Sequence, residues 1–399
     1  MKFSSYFAHP SALVTSSALL YFLHIIFQGK IATVELGAFL AIFTLAWAVG
    51  RGDARFSWHI LYFPLIMYGV VSSVSALAAP RRLHAWGEGM LWFKMLIFPC
   101  AVILFREVPR LRDLALKAHA IFASYISVWG LAEYVFGEQR NLEHRINGPS
   151  THVMTFSGMV LPLSLLLLVQ WRYERKWWQL VSGGLATLTL LLTFTRSVWL
   201  GWLVAVFVVL AATRIRLAFY ALPALLIFVT FMPMSMFARL VSSFDTRQES
   251  NFDRIRMLEA GVEIIKDFPV LGVGPANVKE MYSIYRKHDA PRARPPHLHN
   301  NVVQLWAERG ILGLAAYVLL LVLFTRECVR SWHGPHRVWA EAGVAVAISL
   351  TVAGLFEFNF GDTEVFYLML NLFALIAVSL ERPQPSPNAV PTHFVGAPA

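Results

Sequence analysis

The sequence predicts an all-α polytopic membrane protein, and three observations lead to that prediction. Hydrophobic residues make up 57% of the 399 residues and charged residues only 15%, and the mean hydropathy is +0.56. Soluble globular domains carry about 25% charged residues. The chain also contains repeated apolar runs of roughly 20 residues, the length that an α-helix needs to cross a bilayer. We therefore expect about 12 transmembrane helices.

The apolar runs fall into two groups on either side of one long polar loop. In chain order the runs are 11–29, 33–50, 58–79, 91–105, 117–137, 153–171, 178–194, 198–212, 217–236, 311–324, 338–358 and 365–380. Segment 1–236 thus holds predicted helices 1–9, segment 237–301 is the long loop, and segment 302–381 holds predicted helices 10–12. The first run lacks a convincing small-residue cleavage site, so we expect an uncleaved helix there. The Pro-rich segment 382–399 is predicted to be a disordered tail.

Alternate short loops differ in their content of Lys and Arg. One set carries most of the basic residues, and the other set holds only Lys30, Arg81, Arg82, Arg140, Arg145 and Arg196. Because basic loops stay in the cytoplasm, we expect cytoplasmic termini and a long loop that faces outward. The net charge of +10 is then a topology signal, and we expect membrane lipids rather than nucleic acid as surroundings. The sequence does not predict an oligomeric state.

The long loop contains a stretch with helical periodicity, DRIRMLEAGVEIIKDFP. Its predicted apolar face consists of Ile255, Leu258, Val262 and Ile265. We expect an amphipathic helix that lies on the external face of the membrane domain and ends at Pro269. The LGVGP segment that follows lacks the spacing and the lysine of nucleotide-binding loops, so it is predicted to be a turn.

The stretch PPHLHNNVVQLWAERG, residues 295–310, places two histidines directly before a helix-like run. The prolines cannot continue a preceding helix, so a new helix is predicted to begin at His299 and Asn300, with Asn300 as its N-cap. The positive end of the helix dipole favours a neutral imidazole, which can accept a proton. His299 is therefore the candidate general base, with His297 and Asn300 as supporting residues. The alternative is that both histidines are solvated loop residues.

Several outward arginines form a candidate site for a phosphate group. Arg196 interrupts a long apolar stretch, and an ionisable residue in such a position indicates function. Arg140 and Arg145 lie in a short external loop, and Arg254 begins the amphipathic helix. Because arginine binds phosphate with two parallel hydrogen bonds, the set predicts a diphosphate site. The alternative is that each arginine is a topology residue or binds lipid headgroups, as a snorkelling Arg196 would.

An acidic cluster, EFNFGDTE, occupies the last external turn and contains Glu357, Asp362 and Glu364. Two interpretations remain open for it: a contact with an arginine or a sugar hydroxyl, or a solvated hairpin. The chain has no Asp-x-Asp motif and no His or Cys pair at zinc-ligand spacing, so we expect no metal and no cofactor.

These features favour a donor that sits in the membrane and already carries a good leaving group. A glycan linked to a polyprenyl diphosphate meets this description. Attack on its anomeric carbon needs a base for the acceptor hydroxyl and positive charge for the departing diphosphate. His299 is predicted to be the base, and Arg196 and Arg254, together with Arg145, are predicted to supply the charge.

Three blocks of the sequence resemble the O-antigen ligase and polymerase superfamily of bacterial inner-membrane glycosyltransferases. The blocks are TFTRSVWLG, the segment from Arg254 to FPVLGVGP, and the HN pair followed by AERGILGL, in the same order. The resemblance implies a metal-independent, GT-C-type transferase with a long periplasmic loop that contains amphipathic helices. It also implies that His299, Arg196 and Arg254 are the essential residues. Where many relatives have tryptophan after the loop arginine this chain has Met257 and Leu258, so the choice between Arg254 and Arg256 stays open.

The GDTEV segment near the end resembles ligases more than repeat-unit polymerases. The short tail differs from protein O-oligosaccharyltransferases, which resemble this core but carry extra C-terminal sequence. The resemblance thus implies an O-antigen ligase that moves glycan from undecaprenyl diphosphate to the lipid A-core oligosaccharide in lipopolysaccharide biosynthesis. Alternatives are a repeat-unit polymerase and a protein O-oligosaccharyltransferase. A flippase or exporter of lipid-linked glycan is an alternative of a different class. A transporter is expected to place its polar groups near the membrane midplane, whereas here they gather at the outer face.

Overall fold

The computed structural model describes residues 11–26, 31–137, 145–150, 152–216, 234–242, 245 and 247–381. All secondary-structure elements in these ranges are helices. They are α1 (Ala12–Ile26), α2 (Ile31–Gly50), α3 (Tyr62–Ala78), α4 (Arg82–Gly89), a 3-10 helix (Met90–Leu96), α5 (Ile97–Glu107), α6 (Leu111–Phe136), α7 (Val153–Glu174), α8 (Trp177–Leu192), α9 (Arg196–Thr213), α10 (Met234–Val241), α11 (Glu249–Asp267), α12 (Val278–Tyr285), α13 (Asn301–Arg330), α14 (Arg337–Gly354) and α15 (Thr363–Leu380).

Within the described ranges, 6 helices are long and apolar enough to cross a membrane: α6, α7, α9, α13, α14 and α15. Helices α1, α3, α8 and the Glu35–Gly50 part of α2 are apolar but shorter. The predicted run 91–105 is divided between the 3-10 helix and α5, which has 11 residues. Most of the predicted run 217–236 lies outside the described residues. The fold is thus that of a polytopic helical membrane protein, but the described residues do not support the expected count of about 12 spans.

Helices α7 and α15 form the centre of the bundle. The apolar windows of both are 89% buried within the protein. Their close packing depends on a small residue, since a Cβ on Gly158 would lie 2.8 Å from the Cγ2 atom of Val365. A second close crossing joins α9 to α14, where a Cβ on Gly201 would lie 2.6 Å from the carbonyl oxygen of Ser349. Small residues at such crossings are typical of helix pairs in membranes.

Helix α11 forms where the amphipathic helix is predicted, but the face that it buries within the protein is not the predicted apolar face. Its buried residues are Asp253, Met257, Ala260, Gly261 and Ile264. By contrast, Ile255 and Val262 are exposed. The reason is steric: a Cβ on Gly261 would lie 2.5 Å from the Cγ1 atom of Val303, so the helix approaches α13 closely along its small residues.

The LGVGP segment holds α13 at a kink. Gly310 has a φ of +65° inside α13, and a Cβ there would lie 1.9 Å from the carbonyl oxygen of Val270. The kink frees carbonyl groups, and the amides of Val273 and Gly274 donate to two of them, at 2.9 and 2.8 Å. The predicted turn therefore holds the first turns of α13 in position, together with the histidines that precede them.

Candidate active site

The two histidines lie on a short loop, and the residue between them, Leu298, anchors this loop in the protein. Leu298 is fully buried, and a Cβ on Gly261 of α11 would lie 2.8 Å from its Cδ1 atom. The Leu298 amide donates to the side-chain oxygen of Gln304 at 2.7 Å. Burial of this leucine places the flanking His297 and His299 beside each other, with ring centroids 4.2 Å apart.

His299 has a backbone conformation that is uncommon for residues other than glycine. Its φ is +52°, in the left-handed region. The next residue, Asn300, is the N-cap of α13 as predicted: its Oδ1 atom accepts the Val303 amide at 3.0 Å. Its Nδ2 atom donates to the carbonyl of Leu355 at 2.8 Å. The surroundings thus hold His299 in a strained geometry, and strain of this kind concentrates at functional sites.

Glu357, in the loop between α14 and α15, contacts both histidines. Its Oε2 atom lies 2.9 Å from Nδ1 of His299, and its Oε1 atom lies 3.4 Å from Nε2 of His297. An ionised carboxylate can only accept hydrogen bonds, so His299 carries its proton on Nδ1. This tautomer leaves Nε2 of His299 as the nitrogen that can accept a proton.

His297 has both of its ring nitrogens engaged within the loop. Its Nδ1 atom accepts the amide of His299 at 3.3 Å, and its Nε2 atom faces Glu357. His299, rather than His297, therefore keeps a nitrogen for proton transfer. Neither histidine is a solvated loop residue, since the exposed fractions of their side chains are 26% for His297 and 15% for His299.

The charge states of this group follow from burial and from its neighbours. Burial lowers the pKa of His297 to about 4, against the opposing effect of Glu357, so its imidazole is neutral near pH 7. Burial opposes the ionisation of Glu357, but the hydrogen bond from His299 and the charge of Arg254 hold the pKa of the carboxyl below its ordinary value. Glu357 is thus ionised near pH 7, as the tautomer of His299 requires.

Arg254, on α11, approaches the same carboxylate. Its Nη2 atom lies 3.6 Å from Oε2 of Glu357. Burial lowers the pKa of this guanidinium, and the charge of Glu357 raises it. Arg256 faces elsewhere, with Nη1 2.7 Å from Glu259 and Nη2 2.5 Å from Asp289. The geometry therefore brings Arg254, and not Arg256, to the histidines.

Arg196, the first residue of α9, reaches the same helix α11 one turn earlier. Its Nη2 atom donates to Oδ1 of Asn251 at 2.6 Å, and its Nη1 atom lies 3.5 Å from the Ser242 hydroxyl. The side chain thus lies within protein contacts rather than snorkelling to lipid headgroups. Arg196 therefore contacts the N-terminal part of α11, the helix that carries Arg254. Arg254 in turn contacts Glu357, which contacts the histidines.

Arg292 is a cation of this site that sequence reasoning missed. Its Nε atom lies 3.0 Å from Oδ2 of Asp253, and its charge acts to lower the pKa values of both His297 and Arg254. The available signal was the basic run RARPP directly before His297.

Two further arginines, Arg140 and Arg145, are predicted to bind the diphosphate. Arg140 lies outside the described residues. Arg145 begins the loop 145–150, which Glu133 of α6 holds by accepting the amides of Asn147 and Gly148 at 3.1 and 2.8 Å. A role for Arg140 and Arg145 in diphosphate binding stays a prediction.

The residues of the acidic cluster have different partners: Glu357 contacts the histidines, whereas Asp362 contacts α15 and α7. Asp362 caps α15 through the Val365 amide at 3.3 Å and also accepts the hydroxyl of Thr155 on α7. Burial raises the pKa of Asp362, and the charge of Glu357 acts in the same direction. Glu364 and Glu357 are 5% and 8% exposed, so the solvated-hairpin interpretation is wrong. Substrate contacts for Asp362 and Glu364 stay predictions.

The histidines and Glu357 also bring three potential metal ligands together. Their ligand atoms lie within 4.8 Å of one another. Sequence spacing did not reveal this group, because Glu357 lies 58 residues from His299. The guanidinium of Arg254 opposes a further cation beside the same carboxylate. We therefore interpret the group as one for proton transfer, and metal independence stays a prediction.

Comparison with protein families relates this geometry to a known activity. Residues 181–318 match the family model described as O-antigen ligase. This segment contains Arg196, Arg254 and His299, while Glu357 lies beyond it. Among curated proteins, no significant match to the chain was found. The family match supports a ligase or polymerase type of glycan transfer in a membrane. The resemblance of this chain to the O-antigen ligase superfamily is thus confirmed over residues 181–318.

Proposed function

We propose that the protein is an O-antigen ligase of a bacterial inner membrane. It transfers a finished glycan from undecaprenyl diphosphate to the lipid A-core oligosaccharide at the periplasmic face, in lipopolysaccharide biosynthesis. The reaction proceeds without a metal or cofactor, and both termini of the chain are cytoplasmic. The family match supports the general activity. The finer assignment is carried by one observation: a carboxylate, Glu357, contacts both a candidate base and a candidate phosphate-binding arginine.

In the proposed reaction, an acceptor hydroxyl attacks the anomeric carbon of the donor glycan. The proton of that hydroxyl passes to Nε2 of His299. The imidazolium that forms is stabilised by Glu357, because its carboxylate accepts the Nδ1 proton at 2.9 Å. The bond between the anomeric carbon and the diphosphate oxygen breaks, and undecaprenyl diphosphate leaves with the bonding electron pair.

Positive charge near the base assists the departure of the diphosphate. Arg254 is the nearest candidate, because it contacts the carboxylate that also holds His299. Arg196 extends the positive region along α11 and Arg292 extends it along the loop before the histidines. Guanidinium groups preorganised in this way favour the transition state, in which charge accumulates on the leaving oxygen. Arg145 and Arg140 belong to the same proposal as further diphosphate ligands.

A transfer assay with defined substrates tests this function. Purified full-length protein is incubated with an undecaprenyl-diphosphate-linked glycan and lipid A-core, with EDTA present and without nucleotide. We expect glycan to appear on the lipid A-core at the same rate with and without EDTA, and we expect no transfer by His299→Ala.

Each other outcome would assign a different activity or mechanism to the protein. Glycan that lengthens on the polyprenyl carrier would make the protein a polymerase. Loss of transfer on chelation, with recovery on adding a divalent cation, would contradict the metal-free mechanism. Absence of any transfer, together with movement of lipid-linked glycan between the leaflets of proteoliposomes, would make it a transporter.

A further inference from the structure

A cavity of about 310 Å³ borders the imidazole–carboxylate group on the side of His297. It is enclosed by α3, the 3-10 helix, the first turns of α13 and the loop before α15. Its lining includes Tyr68, Met95, Gln304, Phe358 and Thr363. The His297 ring lines the cavity and also packs against the ring of His299, at a centroid distance of 4.2 Å. A group bound in the cavity is therefore separated from the candidate base by the width of one ring.

The chemistry of the walls suits a sugar ring. Aromatic side chains, Tyr68, Phe358, Phe360 and Phe366, supply flat apolar faces on which the C–H groups of a pyranose can pack. Buried polar side chains supply hydrogen-bonding groups for hydroxyls. They are Ser72, Lys94, Gln304 and Glu308, which are at most 7% exposed. The volume lies near the lower end of the range of about 300–1,000 Å³ for small-molecule sites, which fits a short sugar fragment.

The cavity wall carries little net charge, unlike the arginine side of the site. Lys94 lies 2.7 Å from Glu35 and donates to the Thr363 hydroxyl at 3.0 Å. Arg309 pairs with Glu308 and donates to another wall residue, the Ser72 hydroxyl, at 3.0 Å. Both cations thus have carboxylate partners, Glu308 within the wall and Glu35 outside it. A diphosphate would have to displace these carboxylates, whereas a neutral hydroxylated ring would not.

The polar wall is also tied to the histidine loop. The Gln304 amide donates to Oε1 of Glu308 at 2.8 Å, and its oxygen accepts the amide of Leu298, between the two histidines. Glu308 accepts the amide of Ala276 at 3.0 Å. These hydrogen bonds preorganise the wall, so a ligand meets polar groups that are already in fixed positions.

We propose that this cavity is a subsite for the acceptor oligosaccharide, and that it binds one uncharged sugar unit while a free hydroxyl of the adjoining unit reaches Nε2 of His299. This inference rests on the proposed function. We assign the cavity to the acceptor rather than to the donor glycan because it adjoins the histidines. The arginines proposed to bind the donor diphosphate do not line the cavity; they are Arg196, Arg254 and Arg292.

Steady-state kinetics of a cavity-filling variant test the assignment. Met95 lines the cavity and is 6% exposed, while the adjacent Leu96 is 40% exposed and does not line it. Met95→Trp is expected to raise the KM for lipid A-core by at least about 10-fold, because the indole occupies the space of the sugar. The KM for undecaprenyl-diphosphate glycan is expected to stay unchanged. Leu96→Trp is the matched control and should have wild-type values for both substrates.

A second variant avoids any dependence on a bulky side chain. Thr363→Val keeps the shape of the side chain and removes one hydroxyl from the wall. It should raise the acceptor KM by about 3- to 10-fold, the equivalent of one hydrogen bond. Thermal midpoints in detergent show whether each variant is folded.

The outcomes separate this inference from the proposed function. Wild-type transfer with unchanged acceptor KM values in the folded variants overturns the subsite and leaves the ligase intact. A rise in the donor KM instead of the acceptor KM shows that the cavity holds donor glycan, which also overturns the inference. If the wild-type protein transfers nothing, the proposed function fails first, and the subsite fails with it.

Discussion

Two buried glutamates organise opposite regions of the bundle, and their partners differ in kind. Glu341, near the start of α14, is fully buried and bound by permanent cations. Nη1 of Arg172 donates to it at 3.0 Å and Nε of Arg337 at 2.8 Å, and the hydroxyl of Tyr173 donates as well. Glu357 instead contacts the rings of two histidines and has one guanidinium at 3.6 Å.

The difference indicates separate roles: Glu341 joins two helices, and Glu357 is proposed to position and assist the base. The charge of Glu341 is already neutralised by two arginines, so the group is a fixed tie between α7 and α14. The charge of Glu357 is only partly neutralised, because its closest partners are imidazoles and at least His297 is neutral near pH 7. Glu357 can therefore stabilise a positive charge that forms on His299 during the reaction.

The largest expected effects come from exchanging these carboxylates for amides. Glu341→Gln removes the charge of a buried carboxylate that binds two partly exposed arginines, so we expect a loss of stability on the order of 1–3 kcal/mol. Glu357→Gln should lower kcat by about 100-fold, because an amide stabilises an imidazolium poorly. Thermal midpoints in detergent and transfer rates check the two effects separately.

The pH profile distinguishes a positioning role of Glu357 from a purely structural one. In Glu357→Gln the kcat/KM profile should lose the fall at low pH that accompanies protonation of Glu357, a carboxyl group whose pKa is held below its ordinary value in the wild type. Wild-type kcat and an unmoved profile in this variant would show that the two glutamates do not differ as described.

A smaller effect is expected from the arginines of α11. Arg254→Ala should raise the KM for the diphosphate donor by about 10-fold or more, since hydrogen bonds to charged groups are worth about 1.5–3 kcal/mol. Arg256→Ala, on the same helix, is the matched control, because its guanidinium is bound to Glu259 and Asp289. If Arg256→Ala weakens donor binding and Arg254→Ala does not, the assignment is reversed.

The smallest expected effect is the pH dependence that His297 adds to stability. Its pKa is about 4 in the folded protein and about 6.5 in an unfolded chain, so the unfolded state binds the proton first as the pH falls. Stability is therefore lost between pH of about 6.5 and about 4, by about 1–2 kcal/mol at pH 5. Thermal midpoints should fall less with pH in His297→Gln than in the wild type; an equal fall would contradict a neutral, buried His297.

Much of the site could be predicted from the sequence because its signals are local. Arg196 is conspicuous in an apolar run, and the prolines before His299 mark the start of a helix. The N-cap role of Asn300 is confirmed for the same reason. The contacts between these segments arise only in the tertiary structure, and spacing along the chain does not predict them.

The remaining features depend on packing between distant segments. The buried face of α11 follows its small residues, Ala260 and Gly261, rather than its largest apolar ones, because α13 approaches closely there. The pairing of Glu357 with His299 joins positions 58 residues apart. Once that pairing is known, the choice of Arg254 over Arg256 follows from the geometry, although both have the same local sequence context.

The most direct test of the account compares the two histidines in a single-turnover transfer assay. We expect His299→Ala to lower the transfer rate by about 10³-fold or more, within the usual range for a general base, while the donor still binds. His297→Ala should retain much more activity, because His297 positions the base and does not accept the proton. Near wild-type transfer by His299→Ala, or complete loss in His297→Ala alone, would contradict the central claim that His299 is the base.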